Sequence, residues 1–212
     1  MQTVVRWELI DVENALAGLS VPLKVLQEAV QAGYLGRISR TANDAPNAAG
    51  FYQWNDTLRS LRENMARETW RRSDTGNWPT TVHPENLLAI AVSSGNQHTG
   101  KETETPSTKA AKGPRTAKAV SINAHQSWLP GLEPLQEDLA PDANLPTWFL
   151  LFYADEKELR SELSLPVNMD SEGHVSTWRE RIILPALPID PVLTLPEPDF
   201  GPDVDIKIAR KR

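Results

Sequence analysis

The chain has 212 residues, 40% of them hydrophobic and 24% charged, with 17 prolines. This is ordinary globular composition, long enough for one large or two small domains and too proline-rich for long helices throughout. The absence of cysteine excludes disulfides, thiolate nucleophiles and thiolate metal ligands, and the formal net charge of −6 excludes a uniformly basic surface. No run approaches the roughly 20 consecutive apolar residues of a membrane-spanning helix, and residues 1–6 lack a basic segment followed by an apolar core, so a cytoplasmic chain without membrane contact is expected. The charge is uneven: residues 1–80 carry nine Lys/Arg and nine Asp/Glu, whereas residues 141–212 carry eight and thirteen. Any nucleic-acid contact must then rest on local clusters rather than on net charge.

In chain order, residues 11–19 form a first helix, with Val12, Ala15, Leu16 and Leu19 at helical spacing. Ser20 is expected as the N-cap of a second helix, opened by Val21 and Pro22, faced by Leu23, Leu26, Ala29 and Val30, and stopped at Gly33. Two helices joined by so tight a turn pack across each other and leave the second partly exposed for a groove. The run Leu19-Ser20-Val21-Pro22, followed by Val25-Leu26, Ala29-Val30 and Gly33-Tyr34-Leu35, resembles the winged helix-turn-helix domains of excisionases and MerR-like regulators.

The resemblance is confined to an N-terminal module, residues 1–75. It implies a wing built from a strand at 37–40, a polar tip at 41–50 and a returning strand at 51–54, after which Asn55 or Asp56 caps a helix bearing Leu58, Leu61 and Met65. It also implies a DNA-facing second helix, whose outward residues here are Lys24, Gln27, Glu28 and Gln31, and a role in prokaryotic mobile-element or defence biology. Phosphate contacts are expected from Arg37, Arg40, Arg59 and Arg62, with Arg67, Arg71 and Arg72 beside them, because the guanidinium fork matches phosphate oxygens. The alternative is a solvated helix laced by the pairs Arg59 to Glu63 and Glu68 to Arg72.

Residues 76–92 are expected to connect through a short helix over 84–92. Residues 93–118 hold no large apolar side chain and read as a flexible linker whose Lys109, Lys112, Arg115 and Lys118 could follow a phosphate backbone or simply be solvated. A β-rich unit at 119–187 begins with the alternation Val120, Ile122, Ala124. The apolar run 148–153 suits a central strand. Leu159, Ser161, Leu163, Leu165 and Val167 share one face of another, and the turn at 168–173 returns the chain through 175–184. Trp148 and Trp178 are assigned to the core, and residues 188–212 to an extended proline-rich tail that could lie on a partner.

The four histidines, His83, His98, His125 and His174, lack metal-ligand spacing, and no nucleophile elbow, phosphate loop or dinucleotide fingerprint is present. Asp142 with Asp155-Glu156-Lys157 resembles the carboxylates and lysine of magnesium-dependent nucleases. The expected fold is α+β: a winged helix-turn-helix module, then a β-rich hairpin unit and an extended arm. The expected function is a non-catalytic DNA-binding protein or nucleoprotein subunit without cofactor or metal, contacting duplex DNA through the N-terminal module and the basic linker, and protein through the β-rich unit or the tail. The alternatives are an assembly protein whose helix-turn-helix touches only protein and, third, a magnesium-dependent nuclease.

Overall fold

A computed structural model describes residues 2–125 and 144–189. The elements run β1 (Val4–Arg6), α1 (Leu9–Gly18), α2 (Leu23–Ile38), α3 (Ala48–Met65), β2 (Arg71–Ser73), β3 (Thr80–Val82), β4 (Ala89–Ser94), α4 (Pro114–His125), β5 (Thr147–Ala154), β6 (Glu158–Met169), β7 (Val175–Ile183) and β8 (Leu187–Pro188). The fold is α+β, with one sheet ordered β1-β7-β6-β5-β4-β3-β2 and β8 beside β6. The pairs β1–β7 and β4–β5 are parallel and the others antiparallel.

Strand β5 is apolar at successive positions because both of its faces are covered. Trp148, Leu150 and Phe152 point toward α1–α3, whereas Phe149 and Leu151 point toward α4. On the first face Val12, Leu16, Leu26, Val30, Leu61 and Met65 share a single cluster with Ile90, Leu163 and Ile182. The N-terminal helices and the later strands therefore close one core together. Each such side chain contributes about 1.5–3 kcal/mol of gross transfer energy. Trp148 and Trp178 are buried as expected, one on each face, and Trp178 anchors its indole N–H on the Pro106 carbonyl at 2.8 Å.

Several local expectations differ from the structure. Helix α2 continues through Gly33 and Gly36 to Ile38. Gly33 does not end it: a Cβ there would lie 1.9 Å from Thr57 Oγ1 and 2.5 Å from the Gln53 carbonyl, so the glycine permits close approach of α2 and α3. Ser20 makes no cap; it takes the left-handed conformation (φ 57°) in the α1–α2 turn, and Pro22 occupies the N-cap position. Neither strand expected at 37–40 and 51–54 forms: residues 37–38 close α2, Ser39 caps it, and 51–54 lie within α3, which starts at Ala48 rather than at Asn55 or Asp56. Leu58, Leu61 and Met65 still form its buried face.

The helix expected over 84–92 is a turn followed by β4. Val120, Ile122 and Ala124 belong to α4 instead of a strand; the period-two pattern there is short, and Ala119, Val120 and Asn123 are the residues that pack inward. The expected strands at 148–153, 159–167 and 175–184 correspond to β5, β6 and β7, with β6 and β7 joined through a turn at 170–174. The register shifts near Pro166, where proline lacks the ladder donor. The tail beyond Ile189 lies outside the described residues.

Candidate nucleic-acid interface

The polar side of β6 decides what covers the second face of the sheet. Arg160, Glu162 and Ser164 alternate with Leu159, Leu163 and Leu165, and all are buried. Glu162, fully inaccessible, accepts from Arg181 Nε (3.0 Å) and Nη2 (2.6 Å), from Ser164 Oγ (2.7 Å) and from the Gly100 N–H (2.9 Å). Arg181 donates onward to the Glu104 and Lys101 carbonyls at 2.7 and 3.0 Å. A buried ion pair is tolerated only when its remaining donors and acceptors are met, and here the chain segment laid over it meets them.

That segment is the one expected as a flexible linker. Residues 95–113 are held across the sheet by polar contacts in place of apolar ones. Gly95 and Lys109 donate backbone N–H groups to Phe152 and Ser94, Thr108 to Val175, and Lys112 to Gly173, at 2.8–3.0 Å. Arg160 reaches the Gln97 carbonyl and the Asp155 carboxylate, both at 3.2 Å. Within the segment Glu104 pairs with His98 and Lys101, and these two partners, His98 first, hold its carboxyl below the usual glutamate range.

From this anchored segment the chain enters α4. Buried Asn123 fixes the helix to the sheet, donating to the Thr147 and Pro166 carbonyls and accepting the Thr147 N–H, each at 2.9 Å. Arg179 donates to the Asn123 carbonyl near the helix end at 2.6 Å. Thr116, Ala119, Val120 and Asn123 face inward, which leaves Arg115 and Lys118 exposed. Lys109, also exposed, and half-buried Lys112 precede them, and no carboxylate occurs from 105 to 125. Burial draws the Lys112 pKa below the usual lysine range, a cost that a bound anion would offset.

Arg115, Lys118, Ala119 and Ile122 line one wall of a crevice closed by Ser73, Thr75, Trp78, Thr80 and Thr147. The Arg115 guanidinium lies against Gly76 (φ 65°), where an added Cβ would come within 2.4 Å of three of its atoms. Arg62 braces the opposite wall by donating to the Ser73 carbonyl (2.9 Å), the Thr80 carbonyl (3.1 Å) and Asp74 (2.8 Å).

Of the four linker cations the crevice brings Arg115 and Lys118 together, whereas the N-terminal candidates do not converge. Lys24 pairs with Glu28 at 3.6 Å, and Gln27 donates to the Pro185 carbonyl at 3.2 Å, while Gln31 is exposed. Arg37 lies on the last turn of α2 and Arg40 beyond it, near Asp44. Arg59 pairs with Asp56 at 3.2 Å rather than with Glu63, and Arg62 is occupied as a brace. The shallow groove at the α1–α2 turn carries Glu13 and Glu68 beside Leu16, Val21 and Leu23, an unfavourable lining for phosphate. Of the nuclease-like residues, Asp142 lies outside the described residues. Asp155 and Lys157 sit in the β5–β6 turn. Burial would raise the Asp155 pKa, yet the Lys157 and Glu158 N–H groups and Arg160 hold it below the aspartate range. Among the described residues no group of three His, Asp or Glu could hold a metal ion, and no described helix is long and apolar enough to cross a membrane.

Comparison with family models, curated proteins and solved structures gives no match to this chain. The residues missed from sequence were Ser73, Thr75, Gly76, Trp78 and Thr80 around the crevice, and Glu162 with Arg181 beneath the covering segment. Charged residues at inward positions of β6 and β7 were the available signal for the second group.

Proposed function

We propose that this is a non-catalytic nucleic-acid-binding protein, or a subunit of a nucleoprotein complex, that grips the phosphate backbone through the basic approach to α4 and the exposed side of that helix. The observation that carries this reading is the run of Lys109, Lys112, Arg115 and Lys118, uninterrupted by a carboxylate in sequence, on a segment and helix fixed to the sheet, with Arg115 and Lys118 lining one crevice. Cations held by a rigid support lose less conformational freedom on meeting phosphate than cations on a free linker. Helix α2 is a weaker candidate, since Lys24 and Gln27 already have intramolecular partners and the adjacent groove is acidic. Helices α1 and α2 pack on the opposite face of the sheet from α4, so a helix-turn-helix there stands apart from this basic face.

Anisotropy titration of the full chain against duplex DNA, single-stranded DNA and RNA at low salt tests the reading. Binding weakened severalfold by Lys109→Ala/Lys118→Ala is expected; failure to bind any of the three overturns it.

A second reading, assembly through protein contacts, draws on one other feature. Val4, Trp7, Leu9 and Ile10 are exposed (47, 50, 54 and 62%) around β1, which is an edge of the sheet. Exposed apolar residues beside a strand that ends the sheet among the described residues favour a protein partner. Retention of a protein partner without nucleic-acid binding would support this second reading.

A further inference from the structure

The crevice beside α4 has a size and a lining that narrow what the basic face could recognise. Its internal space is about 50 Å³. One water-sized group needs roughly 10–15 Å³ measured this way, so about four such groups fit. Pockets for bases or other drug-sized ligands run to roughly 300–1,000 Å³, several times larger. A group of phosphate size fits this space; a nucleobase does not.

The lining selects the sign of charge. Arg115 and Lys118 supply two cations, and Ser73, Thr75 and Thr80 supply hydroxyls, with no carboxylate among the described lining residues. Asp74 is the acidic neighbour in sequence, and Arg62 pairs with it at 2.8 Å. Ser73 Oγ and Thr75 Oγ1 lie 3.1 Å apart on this lining, and either can donate to the other. Gly76 leaves room for the Arg115 guanidinium, which an added Cβ would have to displace.

We propose that this crevice seats a terminal phosphate monoester, so that the chain engages nucleic-acid ends that carry a phosphate in preference to hydroxyl ends; this rests on the nucleic-acid reading above. An internal phosphodiester has one negative charge and two free oxygens. A terminal monoester carries about −1.5 to −2 and three acceptor oxygens, and it can enter a recess that the continuous backbone would bridge. The remaining cations, Lys109 and Lys112, lie along the approach to α4 and hold the adjoining backbone.

The test compares two duplexes of identical sequence, one with 5′-phosphate and one with 5′-hydroxyl ends, titrated against the full chain. About tenfold tighter binding of the phosphorylated duplex is expected, the equivalent of one charge-assisted hydrogen bond. Arg115→Ala should erase the preference, whereas Lys109→Ala should weaken both duplexes equally. Gly76→Ala should reduce the preference while leaving the net charge unchanged, with circular dichroism to verify folding and Arg115→Lys as the conservative companion. Inorganic phosphate at saturation should cancel the preference without abolishing binding. Equal affinity for the two duplexes, or a preference that survives saturating phosphate or Arg115→Ala, overturns the terminal-phosphate inference and leaves the nucleic-acid reading standing. Absence of binding to both duplexes at low salt overturns both.

Discussion

Replacing Arg181 by methionine would strand the Glu162 carboxylate in the interior. The arginine supplies two of the four hydrogen bonds to that carboxylate and two more to the Glu104 and Lys101 carbonyls. Breaking one side of a buried pair costs about 3–5 kcal/mol, because the remaining charge keeps its desolvation penalty without its partner. For a chain of this size each kcal/mol lowers Tm by about 2–4 °C, which gives a loss of about 6–20 °C. Calorimetry measures the loss, and hydrogen exchange locates it. Exchange should accelerate first at Gly100 and Thr108, whose N–H groups are held by Glu162 and Val175. The double variant Glu162→Leu/Arg181→Met should recover part of the stability by removing the buried charge. It should not recover all of it, because the Gly100 N–H and two carbonyls lose their partners. An unchanged Tm in Arg181→Met, with unaltered exchange over 96–108, would refute the idea that this pair fastens the segment.

Two glycine substitutions should act in opposite directions. Gly33→Ala forces a methyl group against Thr57 and the Gln53 carbonyl and should destabilise by about 1–3 kcal/mol; Gly18→Ala, in open space at the end of α1, should stabilise by up to about 1 kcal/mol. Equal effects in urea unfolding would contradict the close approach of α2 and α3. Glu104 has a depressed carboxyl pKa, so its contribution is present above the unfolded glutamate value and is lost as pH falls through the lower folded value. Tm should therefore fall more steeply in that acidic window for wild type than for Glu104→Gln; parallel profiles would separate Glu104 from the acid response.

The apolar face of the fold was legible because helical and twofold periods leave distinct marks. Val12, Leu16 and Leu26 in the helices, and Leu163 with Trp148 in the strands, all reach the shared core. Three kinds of residue misled. Gly33 has the chemistry of a helix stop but serves a helix contact, a distinction visible only once Thr57 is in place. The apparent wing strands carry β-compatible residues, of which packing makes 37–38 and 51–54 helical. Residues 95–113 lack large apolar groups and read as linker, yet Arg160, Glu162, Ser164 and Arg181 bury a polar surface that such a segment satisfies. The basic cluster was legible as composition, whereas the crevice was not, because Ser73, Thr75 and Trp78 meet Arg115 only through the tertiary fold.

The most direct measurement is the salt dependence of duplex-DNA affinity, compared between wild type and two multiple variants. Each phosphate neutralised contributes about −0.9 to the slope of log K against log salt. Removing Lys109, Lys112, Arg115 and Lys118 together by alanine substitution should reduce the magnitude of that slope by about 3–4, whereas Gln27→Ala/Gln31→Ala with Arg37→Ala/Arg40→Ala should leave it nearly unchanged. A slope that persists in the first variant and collapses in the second would return the contact to the N-terminal helices and contradict the assignment to α4.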